Sequence, residues 1–132
     1  MIPAFDDWGN LPPGIHPATV DEIASRFGVG SAERRVEFHE LNEFVAWARR
    51  SGVTRIIING SFVTGATQPG DVDIVILPGA GYPGGEMSAT KMLEIVGHSS
   101  TSRLRPTMAM FKTGAIGILA QINPAAPKVL WR

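Results

Sequence analysis

A chain of 132 residues with 44% hydrophobic and 18% charged content can bury one core of ordinary size, and it lacks the bias of a disordered or fibrous sequence. Twelve acids against twelve bases give a formal net charge of zero, which removes any overall field drawing the molecule to nucleic acid or to a membrane surface. Without cysteine, disulfides and thiolate-based zinc or nucleophile chemistry are excluded.

The start, Met1-Ile2-Pro3-Ala4-Phe5-Asp6-Asp7, is acidic and lacks the basic-then-apolar order of a secretory signal. No apolar run approaches the roughly 20 residues that span a bilayer. The expectation is a soluble, cytoplasmic protein with no membrane association. Charge is nevertheless uneven: residues 1 to 44 hold eight acids and three bases, whereas residues 95 to 132 hold Arg103, Arg105, Lys112, Lys128 and Arg132 and no acid. One reading is a basic flank facing phosphates; the simpler and preferred one is compensation of the two ends across the fold.

Residues 1 to 18 contain Pro3, Pro12, Pro13, Pro17, Gly9 and Gly14, which deny helix and predict an extended arm over the surface, docked through Phe5, Trp8, Leu11 and Ile15. Thr19 and Glu22 have capping-box spacing and start a short helix that carries Ile23 and Phe27 and ends near Gly28. Ser31 caps a longer helix whose apolar stripe is Leu41, Phe44, Val45 and Ala48, with Glu33, Glu37, Glu40 and Arg49 mostly off it and Gly52 ending it. Arg55 to Asn59 and Asp71 to Leu77 are β-branched runs expected as strands, the second stopped by Pro78. A Gly79 to Gly85 loop, a helix from Met87 to Val96, a Ser99 to Ser102 loop and strands at Thr107 to Phe111 and Ile116 to Ile122 complete the expected order.

The chemistry concentrates in Ile56-Ile57-Ile58-Asn59-Gly60-Ser61, followed after nine intervening residues by Asp71-Val72-Asp73-Ile74-Val75-Ile76. Gly60 removes a side chain where the backbone leaves a strand, so amides can approach a phosphate, and Ser61 adds a hydroxyl donor. Asp71 and Asp73, two apart on a strand, project their carboxylates from one face. Two such neighbours repel unless a hard cation bridges them, and Mg²⁺ takes one or two carboxylates with phosphates and waters. A Mg-nucleotide is the natural guest. Alone, a Gly-Ser after a strand is most often a turn and an Asp-x-Asp most often a solvated strand edge; it is the combination that points to a site.

That combination resembles the signature of the polymerase-beta-like nucleotidyltransferase superfamily, particularly its minimal members, over Arg55 to Leu77. Ile2-Pro3-Ala4-Phe5, Gly9-Asn10-Leu11-Pro12-Pro13-Gly14-Ile15-His16 and Gly60-Ser61-Phe62-Val63-Thr64 also resemble an uncharacterised bacterial and phage family with a nucleotidyltransferase-like core. The resemblance implies one α/β (α+β) domain over residues 1–132: a small mixed sheet flanked by helices, with the extended arm of residues 1–18 packed on it. It further implies that Gly60 and Ser61 bind the β and γ phosphates of a nucleoside triphosphate and that Asp71 and Asp73 ligate Mg²⁺. Active members carry a third carboxylate on a later strand, but no Asp or Glu follows Glu94, and Thr107-Met108-Ala109-Met110-Phe111 offers Met or Ala in its place. Two-metal transfer clamps both reacting oxygens between ions about 3.5 to 4 Å apart, which two carboxylates compensate poorly. Glu86 or Glu94 substitutes only if the fold brings it within reach.

Other candidates carry less. His16, His39 and His98 have no metal or triad spacing, and His16, in the arm, is expected to bond backbone or line the site. Arg34, Arg35, Arg49 and Arg50 are expected on a solvated face paired with Glu37 and Glu40. Nucleic acid is a minor option, since no arginine-aromatic alternation is present. Two functions follow: transfer of a nucleoside monophosphate from Mg-NTP to a hydroxyl on a protein, an RNA or a small molecule, or a catalytically degenerate nucleotide- or partner-binding module of a toxin-antitoxin or phage-defence system. A protein partner, met by an exposed apolar surface of the arm or Trp131, and a homo-oligomer are left open.

Overall fold

The computed structural model describes residues 2–50, 53–78, 103–108 and 117–121. Gly52, the Gly79 to Gly85 loop, the Met87 to Val96 helix with Glu86 and Glu94, the Ser99 to Ser102 loop and Trp131 lie outside these residues. Strand β1 (Ile15–Ala18) leads into helices α1 (Val20–Phe27) and α2 (Ala32–Arg50), then β2 (Val53–Asn59), a 3₁₀ turn (Ser61–Val63), β3 (Val72–Pro78), β4 (Leu104–Met108) and β5 (Gly117–Gln121). The architecture is mixed α and β, with five strands among the described residues ordered β1-β5-β2-β3-β4. The central β5-β2 and β2-β3 pairs are antiparallel, whereas the outer β1-β5 and β3-β4 pairs are parallel.

Local signals account for the helices. Thr19, in extended conformation, accepts the Glu22 amide at 3.1 Å through its hydroxyl and so relieves one orphan donor of α1. Ser31 does the same for the Arg34 amide at 3.2 Å. Leu41, Phe44, Val45 and Ala48 form the buried stripe of α2 as its spacing predicts. Two residues expected on the solvated face join them, because Arg34 and Glu37 are buried. Stepping back from Leu41 by four and then three residues lands on Glu37 and Arg34, so the helical phase puts both under the stripe whatever their charge.

The sheet divides its side chains by parity. Ile56, Ile58, Val72, Ile74, Ile76, Ile118 and Ala120 face the helices and form one core with Phe27, Phe44 and Phe62. Each such buried Ile or Phe contributes roughly 1.5–3 kcal/mol of transfer free energy. Ile57, Val75 and Leu119 stand directly across from one another on the opposite face and are buried as a second cluster, so β2 is covered on both faces as expected.

The arm departs from expectation. Its last four residues are an edge strand of the sheet, with Ile15, His16, Pro17 and Ala18 in register with Gly117, Ile118, Leu119 and Ala120. Pro17 is tolerated there because an edge strand need not donate on its outer side. Leu11 enters the core and Phe5 packs against it, but Trp8 is 84% exposed and docks nothing. Trp8 sits on a turn in which Asp6 Oδ1 accepts the amides of Trp8 and Asn10, both at 2.9 Å, and that turn aims the indole outward. Among the described residues, no helix is long and apolar enough to cross a membrane.

Candidate functional site

The strand β2 ends at Asn59, and Gly60 follows with φ +89° and ψ −175°, a conformation essentially reserved for glycine. The Asp71 carboxylate packs against it: a Cβ at Gly60 would stand 3.0 Å from the Asp71 carbonyl oxygen and 3.1 Å from Oδ2. Gly60 therefore does permit a close approach, and in this structure the group that approaches is Asp71. The Ser61 amide donates to Asp71 Oδ1 at 2.9 Å and the Ser61 hydroxyl at 2.5 Å. The same hydroxyl oxygen accepts the amides of Gly70 at 2.8 Å and Asp71 at 3.1 Å. The next amides are committed as well, Phe62 to Asp71, Val63 to Gly60 and Thr64 to Ser61.

The two halves of the motif thus meet, with Asp71 and Asp73 both half-buried. The Ser61 hydroxyl, then the Ser61 amide, hold the Asp71 carboxyl below its ordinary value; Arg105 and a hydrogen bond with Asp73 act in the same direction, and burial opposes them. Register extends the site across the sheet. Asn59 stands opposite Asp73, and Arg105 lies beside Asp73 on the far side, which makes a polar row of Asn59, Asp73 and Arg105 on one face. Asn59 leans over Gly117, where any Cβ would collide with its Oδ1.

Sequence reasoning names Asn59 within the motif and Arg105 within the basic flank but gives neither a place beside Asp73. Asn59 interrupts an apolar strand and could have been flagged by that alone. Arg105 could not, because its place depends on pairing: β4 begins at Leu104, three residues before the expected Thr107, so the residue in register with Asp73 is Arg105, while Thr107 and Met108 pair with Val75 and Ile76.

Two arginines brace the loop between Ser61 and Asp71. The buried Arg34 guanidinium donates to the carbonyls of Phe27 (3.1 Å), Phe62 (2.9 Å), Thr64 (2.6 Å) and Ala66 (2.5 Å), and it lies over the Phe62 ring. Arg103 donates to Pro69 at 3.1 Å. Arg34 is a staple of the loop and not a member of a solvated basic pair. His16 donates from Nε2 to the Pro12 carbonyl at 2.9 Å, the first of the two roles expected of it. His39 is exposed and pairs with Glu43 at 3.2 Å.

Among the described residues, no group of three or more His, Asp or Glu side chains is placed to hold a metal ion. One Asp71 oxygen is engaged by Ser61, and the Asp71 and Asp73 carboxylates are themselves linked by a hydrogen bond, so the two make one paired carboxylate set. That set fits one Mg²⁺ whose other ligands are phosphates and waters, and does not fit two ions.

The model of a family of unknown function, DUF6932, matches residues 3–116, which take in the arm, both helices and all the motif residues. The chain belongs to that family. Neither curated proteins nor solved structures supply a match. Membership in DUF6932 brings no activity with it, so a functional reading has to be argued from the side chains themselves.

Proposed function

We propose that the protein binds a magnesium-bound nucleoside triphosphate at the Asp71 and Asp73 end of the sheet, with transfer of a nucleoside monophosphate to a hydroxyl on a protein, an RNA or a small molecule as the activity to be tested. The observation that carries the reading is the convergence of Gly60, Ser61, Asp71 and Asp73 on one strand end, with Arg105 beside them. Bound Mg²⁺ would neutralise phosphate charge. Asp71 and Asp73 would hold it, Ser61 would fix the Asp71 carboxylate in its ionised form, and Arg105 would attract phosphate oxygens.

A second reading is favoured by a specific observation. The Ser61 hydroxyl and the amides of residues 61 to 64 already have internal partners, so they cradle Asp71 where an open phosphate loop would leave them free. This supports a catalytically degenerate nucleotide- or partner-binding module. Calorimetric titration of Mg-ATP and Mg-GTP into wild type and Asp73→Asn, with labelled-nucleotide transfer followed on the same samples, separates the two. Asp73→Asn leaves the Ser61 to Asp71 bonds in place and is expected to weaken binding by about tenfold or more. Binding with transfer supports the enzyme, and binding without transfer the degenerate module. No binding of either nucleotide defeats both nucleotide readings.

A further inference from the structure

Two carboxylates as close as Asp71 and Asp73, which are joined by a hydrogen bond, repel unless positive charge lies beside them. The chain brings that charge from β4. Val72, Asp73 and Ile74 are in parallel register with Leu104, Arg105 and Pro106. Neighbouring strands lie about 4.8 Å apart, well inside the reach of an arginine side chain. Asp73 and Arg105 therefore share one face of the sheet, the one that carries Ile57, Val75 and Leu119 and looks away from α1 and α2. After the Ser61 bonds, the Arg105 charge helps to hold the Asp71 carboxyl low, so its field reaches both acids of the pair. Unlike the buried Arg34 staple, Arg105 is exposed, and a solvated guanidinium changes partners at little cost.

A guanidinium and a divalent cation answer the same need of the carboxylate pair and so compete for it. A nucleotide phosphate reverses the relation, because it attracts both. We propose that Arg105 is an exchangeable counter-ion, which neutralises Asp71 and Asp73 in the metal-free protein, gives way to Mg²⁺ and turns to the nucleotide phosphates, so that nucleotide binds only together with metal. This rests on the metal-nucleotide reading of the site and adds its regulation. Arg105 then opposes bare metal and favours metal-nucleotide, and without metal the carboxylates withhold it from phosphate.

Mn²⁺ shares the oxygen preference of Mg²⁺, and its free concentration is counted by paramagnetic resonance. Arg105→Gln is expected to bind Mn²⁺ about three- to tenfold more tightly than wild type, and Mg-ATP, followed by calorimetry, about tenfold more weakly. Arg35→Gln removes the same charge from an exposed position of α2, on the other side of the sheet, and should change either affinity by less than about twofold. In EDTA, Asp73→Asn should bind ATP about threefold or more better than wild type does, because Arg105 is released, and Asp73→Asn/Arg105→Gln should lose that gain. Unchanged or weaker Mn²⁺ binding in Arg105→Gln, an equal gain in Arg35→Gln, or a metal-free gain that persists without Arg105 overturns the exchange and leaves the metal-nucleotide site standing. A wild-type protein that binds neither Mn²⁺ nor Mg-ATP overturns the site reading and the exchange with it. Unfolding curves verify each variant; should Asp73→Asn fail to fold, the opposite signs in Arg105→Gln against the Arg35→Gln control decide the matter.

Discussion

Arg34 and Glu37 stand one turn apart on the same buried face of α2, and the fold treats them in opposite ways. Arg34 donates to four carbonyls, in buried bonds to Phe27 at the end of α1 and to Phe62, and in part-buried bonds to Thr64 and Ala66 of the loop, and each of those bonds involves a charged donor. Glu37 receives no hydrogen bond among the described residues, and burial pushes its carboxyl up to about 7 although Arg103 and Arg34 pull the other way. The first charge completes the fold. The second is left with an unmet requirement that a proton satisfies. Burial of a charge thus carries no functional message of its own; the message lies in whether the chain supplies its partners.

The comparison breaks most visibly at Arg34. Arg34→Met keeps the apolar stem but strands the carbonyls of Phe27, Phe62, Thr64 and Ala66, and it should cost about 3–5 kcal/mol, the usual penalty for removing one partner of a buried charged network. Urea unfolding measures this. A loss under about 1 kcal/mol would mean that solvent satisfies those carbonyls and that the loop is not held from α2.

Much of this was legible in the sequence, and the failures have one cause. Thr19, Ser31, the stripe from Leu41 to Ala48 and the strands around Ile57 and Val75 announce themselves through local spacing, and structure places them accordingly. The Gly60-Ser61 and Asp71-x-Asp73 halves could be joined because a hairpin-like antiparallel pair brings them together. Arg34 and Glu37 were misplaced because they were sorted by charge, although helical phase alone puts them inside. The edge strand β1 and the position of Arg105 beside Asp73 depend on pairing with segments distant in the chain, Gly117 to Ala120 and Asp73 itself, and no local pattern encodes a register. Trp8 failed differently: its size suggested burial, but the Asp6 turn beneath it sets its direction.

A middle-sized effect is expected at Asp71, where the partnered side of the comparison can be titrated. Asp71→Asn retains shape but replaces charge-assisted bonds from the Ser61 amide and hydroxyl by neutral ones, and should cost about 1.5–2 kcal/mol near neutral pH. The Asp71 pKa is depressed in the folded state, so its contribution is complete above the unfolded value of about 3.9 and is lost as pH falls through the lower folded value. Wild type and variant should therefore converge in acid. Parallel acid limbs in the two unfolding profiles would show that Ser61 does not stabilise the Asp71 charge.

The smallest effect, and the one of opposite sign, belongs to Glu37. Its folded value is raised, so between about 4.5 and about 7 the folded state keeps a proton that the unfolded chain releases, and stability falls as pH rises through that window, levelling above it. Glu37→Gln cannot titrate and should lack this slope. Relative to wild type it should gain on the order of 1 kcal/mol above the window, less than the full shift implies because a buried amide also needs partners. Unfolding midpoints across the window measure the difference. A wild-type profile parallel to that of Glu37→Gln across the window would show that the folded state does not hold a proton on Glu37.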